Sequence, residues 1–289
     1  MLRDRCRVIV QTRWEGNRAD ALIALHARRS AASIADFRAA APGAPIAVML
    51  TGTDLYRDLP ASAEARASLD HAHRIVVLQE DAPNLLEPKW RAKTEVIFQS
   101  ARRLAPAAKP RDRLDCVALG HLREEKDPAT LFRAIELLPA GLAIRVRHIG
   151  AALDTALGRE ARALQAREPR YRYLGAMPHG LARSALKAAH LLVHPSRMEG
   201  GANAIVEAVT GGTPVIASRI SGNVGMLGAD YEGYFEPGDA PALAGRLARA
   251  LEDPAYLRRL GAQCRRRQVL FRPETEARAV RKLVEALVA

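Results

Sequence analysis

The sequence predicts an α/β protein of two doubly wound domains with a cleft between them. Three observations predict it: short continuous apolar runs alternate with amphipathic segments, a Pro- and charge-rich stretch interrupts them at residues 101–115, and the rhythm then restarts. Apolar strands separated by helices are the pattern of a parallel sheet covered on both faces. A chain of 289 residues is long enough for two such domains, each with its own core.

In the first domain, residues 1–105, strands are expected at 7–11, 21–26, 46–50, 75–78 and 95–98, with helices at 33–40 and 61–72. The stretch ARRLAPAAKPRDRLD, residues 101–115, carries little apolar periodicity and reads as an interdomain linker. The second domain, residues 114–270, is expected to place strands at 116–119, 144–149, 172–174, 191–194 and 215–217. Its helices are expected at 128–138, 152–167, 181–189, 203–210, 240–251 and 256–267. A final helix within residues 271–289 is expected to pack back on the first domain. No internal repeat, heptad or low-complexity tract stands out.

Composition narrows the class. A hydrophobic share of 48% and a charged share of 26% are those of an ordinary soluble globular protein. Aromatics at 4% argue against base stacking on nucleic acid. No apolar run reaches the roughly 18 residues of a membrane span, and MLRDRCRVIV lacks the layout of a signal peptide, so a cytoplasmic protein without integral membrane contact is expected. Cys6, Cys116 and Cys264 are isolated and odd in number, which suits reduced packing residues better than a disulfide or metal set. The formal charge of +12 comes mostly from arginine spread along helices. It reads first as a solvated surface and second as a field that draws in anionic small substrates; nucleic acid is not an expected partner, because no basic stripe coincides with a reading motif.

The most informative stretch is HPSRMEGGANAIVEAVTGGTPVIAS, residues 194–218. An apolar strand runs through Pro195-Ser196 into a Gly pair and then a helix. Such a turn aims backbone N–H groups at one small volume, and the helix dipole adds roughly half a positive charge there, which suits a phosphate. Glu199 stands before the turn and Glu207 eight positions later, about two helical turns on, so both are expected near one face as acceptors for sugar hydroxyls. A second anchor is ALGHLREEKDPATLFRAI, residues 118–135, where a strand ends in Gly120 and a basic loop leads to a helix opened by Asp127-Pro128.

These two segments resemble the family 4 glycosyltransferases, which have the GT-B fold of two Rossmann-like domains. Glu199 to Glu207 is similar to the family's E-x7-E motif, and residues 233–251 to its closing glycine-and-helix segment. The resemblance implies that Glu199 contacts the donor sugar and Glu207 the ribose, with the amides of Gly200, Gly201, Ala202 and Asn203 facing the sugar and diphosphate. It implies that Lys126 grips the diphosphate. His121 stands where the family has arginine, and Arg123, two residues on, is assigned the second charge. Ala176 and Met177 resemble the family's base-facing segment, although an ordinary strand end and turn reads as well.

The acceptor side is read from two segments at strand C-terminal ends, ALHARRS (24–30) and MLTGTDLYRDLP (49–60), where ligands bind in open parallel sheets. His26, Arg28, Arg29 and Ser30, and opposite them Thr51, Gly52, Thr53 and Asp54, are expected to face the ligand. Guanidinium forks beside hydroxyls suit a small anion; in the bland alternative Arg28 and Arg29 cap the helix next to Ser30 or pair with Asp36. LIALHARRS, LTGTDLYRDLP, GHLREEKDP, SRMEGGANAIVEA and SRISGNVGMLGADYEGYF together resemble the selenosugar synthases of selenoneine biosynthesis, the SenB type. That resemblance implies a UDP-sugar, UDP-N-acetylglucosamine or UDP-glucose, coupled to selenophosphate through a carbon–selenium bond, with the UDP-sugar a substrate and neither metal nor cofactor needed. Against the family's pattern, RCRVIVQ looks like the second strand, so a first βα unit of roughly 30 residues is expected to be missing.

Overall fold

The structure is a computed structural model that describes residues 1–105 and 107–289. Pro106, inside the expected linker, lies outside the described residues. The chain divides into two compact units: Met1–Gln99 with Glu199–Gly201 and Pro273–Ala289, and Ser100–Met198 with Ala202–Arg272.

The first unit is built on a parallel sheet of four strands in sequence order: β1 (Leu22–Leu25), β2 (Ile46–Met49), β3 (Arg74–Val77) and β4 (Thr94–Val96). Helix α1 (Ala31–Ala40) links β1 to β2, and α2 (Ala63–His71) leads into β3. Successive side chains of a strand point to opposite faces. Ile46 and Val48 of β2, with Ile75 and Val77 of β3, therefore pack with Ile34, Phe37 and Leu69 on one face. Ala47 and Val76 pack on the other with Leu283 and Leu287 of the C-terminal helix, Pro273–Val288. That helix also holds the N-terminal segment, through Arg281 to Asp4 (2.9 Å) and Arg5 to Glu285 (2.5 Å).

The second unit holds six parallel strands: β5 (Leu114–Leu119), β6 (Ile144–Ile149), β7 (Tyr171–Gly175), β8 (Leu191–His194), β9 (Val215–Ser218) and β10 (Tyr234–Phe235), in the order β10-β9-β8-β5-β6-β7. The helices that matter below are α3 (Pro128–Glu136), α4 (Thr155–Arg167), α5 (His179–Ala188) and α6 (Asn203–Gly211). From β5 the chain winds outward through β6 and β7, then returns to β8 on the other side and winds the opposite way. The crevice at the C-terminal ends of β5 and β8 is therefore the topological switch point, where ligands bind in such sheets.

Several expectations are corrected. Residues 7–11 form no strand: Val8, Ile9 and Val10 are exposed, and β1 pairs with β2 alone. An apolar, β-branched run makes a strand only when a neighbour receives its hydrogen bonds. Cys6, just before it, is exposed rather than packed, whereas Cys116 and Cys264 are buried. The helix expected over 61–72 breaks at Ser62, whose extended backbone lets its hydroxyl cap α2 by accepting from Ala65 N at 3.1 Å. Helix α4 starts late because Asp154 caps it, accepting from Ala156 N and Leu157 N. The linker stops short of residue 115, since β5 begins at Leu114 with its amide bonded to Ala143 O.

The ends of β5 and β6 approach so closely that only glycine fits: a Cβ on Gly150 would stand 2.0 Å from Gly120 O. Gly150→Ala is expected to lower stability by about 1–3 kcal/mol, as overpacking does, read as a fall in the urea midpoint at constant m-value.

Candidate functional site

The site in the second unit is assembled from the loops that follow β5 and β8. Gly120 ends β5, and the Lys126 stem passes over it, 3.5 Å from where a Gly120 Cβ would be. The loop is pinned at intervals: Leu122 N donates to Ala151 O at 2.8 Å, and Ala151 N donates to His121 Nδ1 at 2.9 Å. His121 is thereby exposed with one ring nitrogen engaged. Arg123 is exposed too, its nearest carboxylate being Glu125 at 3.8 Å. A single turn, Glu124–Lys126, then meets Asp127 in the left-handed region (φ 45°), which Asp tolerates better than most residues. The Asp127 carboxylate caps α3, accepting from Thr130 N (3.3 Å) and Thr130 Oγ1 (2.7 Å).

On the other side of the crevice, His194, Pro195 and Ser196 are buried as β8 ends. Ser218 donates its hydroxyl to Ser196 O, and Asn223 Nδ2 donates to Ser218 Oγ at 3.1 Å. A small hollow between the two loops is lined by Gly120, Lys126, His148, His194, Pro195 and Ser196. Helix α6 begins after Ala202, whose side chain offers no capping oxygen; the N–H groups of a first helical turn are where an anion would be held. Asn203 is exposed and Ala202 buried.

Glu207 lies on α6 with a largely buried side chain; His179 Nε2 is 2.5 Å and Arg183 Nε 4.0 Å from its Oε1, both on α5. Ala176 and Met177 follow β7 through Gly175, whose φ of 69° makes the turn toward α5.

The remaining expected residues fall in the first unit. Glu199 is 7% exposed, and Gly200 is pressed against Gly52: a Cβ on Gly200 would stand 2.2 Å from Gly52 N, and one on Gly52 2.6 Å from Gly200 N. Gly201 is equally close to the Leu78 side chain. His26 has a φ of 73°, and its Nδ1 lies 2.7 Å from Asp54 Oδ1 while Nε2 lies 3.2 Å from Thr53 Oγ1. Asp54, expected to face a ligand, is fully buried; it accepts from Ala27 N, Thr51 N and Thr51 Oγ1 and so braces the two loops from beneath. Ser30 donates its hydroxyl to Leu25 O. Arg28 and Arg29 are exposed, and neither pairing expected with Asp36 forms: Asp36 meets Arg13, and Arg28 meets Asp58 at 3.3 Å. Ligand atoms of His26, Asp54 and Asp58 lie within 4.8 Å of one another, a spacing open to a cation.

Sequence reasoning passed over His148, Asp58, His179 and Arg183. The β6 run IRVRHI gives no sign that its histidine is functional, because only the fold lays it beneath Gly120. His148 Nε2 is 3.2 Å from Gly120 O and Nδ1 is 3.0 Å from the Tyr171 hydroxyl. A carbonyl only accepts, so Nε2 carries the proton and Tyr171 donates to Nδ1. The ring is neutral: burial pushes its pKa down to about 4, against a smaller upward pull from the Gly120 carbonyl. Burial likewise pushes the Tyr171 phenol up.

A family model described as "Glycosyl transferases group 1" matches residues 102–267. An MMP α-(1→4)-mannosyltransferase of Mycolicibacterium hassiacum is 40% identical over 86 residues, a match that spans 29% of this chain and 21% of that relative. Among solved structures, Anabaena HepE in complex with UDP and glucose superposes with a TM-score of 0.74 at 16% identity, covering 92% of this chain and 78% of that one. Sucrose-phosphate synthase from Thermosynechococcus elongatus gives 0.76 at 23% identity, over 93% and 73%. The fold is the GT-B arrangement of two Rossmann-like domains.

The depressed pKa of His148 carries a pH dependence of definite sign. Above about pH 6.5 the ring is neutral folded and unfolded, and it adds no slope. Below that, the unfolded chain takes up a proton that the folded state refuses. Stability is therefore expected to fall by roughly 1.4 kcal/mol per pH unit from about 6.5 down to about 4, then level off. Urea denaturation across that range, compared with His148→Asn, should show this component of the slope only in the parent.

Proposed function

This chain belongs to the group 1 glycosyl transferases, and we propose that it joins the hexose of a UDP-sugar, UDP-N-acetylglucosamine or UDP-glucose, to selenophosphate. The observation that carries the donor half is the crevice at the β5/β8 switch point, where Lys126 and the uncapped start of α6 belong to one unit. HepE, a protein of the same fold, has been solved with UDP and with UDP-glucose, which supports a UDP-linked donor. Lys126 and Arg123, with the α6 amides, stabilise the diphosphate as it departs; fixed cations at developing charge are often the largest catalytic contribution. Glu199 holds the donor-sugar hydroxyls and Glu207 the ribose, with His179 giving way at Glu207 when the nucleoside arrives.

The acceptor half draws on Arg28 and Arg29, exposed after β1, and on Thr51 and Thr53, whose hydroxyls lie 3.0 Å apart above the buried Asp54. Guanidinium forks and hydroxyls suit a phosphate-like anion. Selenium of selenophosphate attacks the anomeric carbon, a C–Se bond forms as the C–O bond to UDP breaks, and UDP leaves as the anion. The nucleophile is already anionic, so no general base is required. Water then attacks phosphorus, the Se–P bond breaks, inorganic phosphate leaves and the selenosugar is released as its selenolate. The mannosyltransferase likeness favours a second outcome, ordinary hexosyl transfer to an alcohol.

UDP release, followed by mass spectrometry with UDP-N-acetylglucosamine or UDP-glucose, should depend on added selenophosphate; release indifferent to it leaves ordinary hexosyl transfer. Lys126→Ala and Glu199→Ala, shown folded by circular dichroism, should each lose about 100-fold or more in kcat/KM. Arg28→Ala with Arg29→Ala should raise the selenophosphate KM about tenfold or more, as loss of charge-assisted hydrogen bonds does, with the donor KM unchanged.

A further inference from the structure

Lys126 is flanked by two contacts made by one residue of the opposite loop. Arg197 N donates to Glu125 O at 2.9 Å, and Arg197 Nε donates to Asp127 Oδ2 at 2.9 Å. The residue before Lys126 and the residue after it are therefore both tied to Arg197. The guanidinium lies along Gly238, where an added Cβ would come 3.3 Å from its terminal nitrogen, so a glycine there leaves it room. We propose that Arg197 is a positioning residue for the transfer reaction: it clamps the Glu124–Lys126 turn so that the lysine is held over Gly120 at the diphosphate position.

The clamp is specific in its chemistry. Asp127 sits at a left-handed φ of 45° and divides its carboxylate between the start of α3 and Arg197. Asp127 directly follows Lys126 and Glu125 directly precedes it, so a residue of the neighbouring loop holds the turn on both sides of the lysine. Arg197 itself is half exposed, its side chain at 53% of full accessibility. Asp127 is buried, so removing its arginine partner is expected to lower stability as well, and the effect on Lys126 is read separately, from its reactivity. Charge alone does not reproduce it, because the planar guanidinium donates to Asp127 through Nε while Nη2 lies toward Gly238, an orientation that a lysine ammonium does not fix.

The inference rests on the donor role of Lys126, and its test keeps the two apart. Arg197→Ala, Arg197→Lys, Lys126→Ala and the double variant Arg197→Ala/Lys126→Ala are compared in the full chain. In protein shown folded by circular dichroism, Arg197→Ala should lower kcat/KM for the UDP-sugar tenfold or more, Arg197→Lys should restore only part, and the double variant should be no slower than Lys126→Ala alone. Acetylation of Lys126 by acetic anhydride, read on the tryptic peptide, should speed up severalfold in Arg197→Ala. Effects that multiply in the double variant, or an acetylation rate unchanged by Arg197→Ala, overturn the proposal. If the parent chain neither binds UDP in calorimetry nor releases it, the donor role fails instead, and the acetylation ratio alone then decides whether Arg197 positions Lys126.

Discussion

Strands β5 and β8 are paired for only two residues, Cys116 with Leu191 and Val117 with Leu192, before their loops part. The chain winds away from them in opposite directions, so nothing continues the sheet above that point and a crevice is unavoidable. Everything in the donor half depends on this parting. The wall of the crevice is backbone: Gly120 and Gly150 meet too closely for side chains, and His148 lies beneath them. A buried ring in that place stays neutral, and neutrality lets it donate to the Gly120 carbonyl while accepting from Tyr171.

The groups with functional chemistry stand on buried frames that do not themselves meet a ligand. Asp54 carries His26, Ala27 and Thr51 at once, and Asp127 carries Thr130 and Arg197. Each is a carboxylate with its oxygens fully used, and a carboxylate so engaged orients its neighbours better than it binds substrate. The exposed cations, Arg28, Arg29 and Arg123, are the ones left to face outward.

Much of the fold was legible because its signals are local. The strand-and-helix rhythm, the Pro at the start of α3, the Gly pair before α6 and the apolar face of the C-terminal helix are all readable from adjacent residues. Where the reading failed, the missing information was a partner elsewhere. Residues 7–11 have every local property of a strand and lack only a neighbour; Ser62 ends one helix by capping the next. Asp54 looked like a ligand because its segment ends a strand, and only the surrounding amides and hydroxyl show that it is consumed internally.

The sequence by itself determined the fold class and the glycosyltransferase family, since periodicity and motif spacing are properties of contiguous chain. The tertiary structure decided which of the expected site residues are supports and which present themselves. It also decided that Arg197, unremarkable in sequence, reaches both neighbours of Lys126, and that His148 lies under Gly120. Hydrogen bonds between residues 70 or 28 positions apart have no local signature; they exist only once the strands that carry them have been laid side by side.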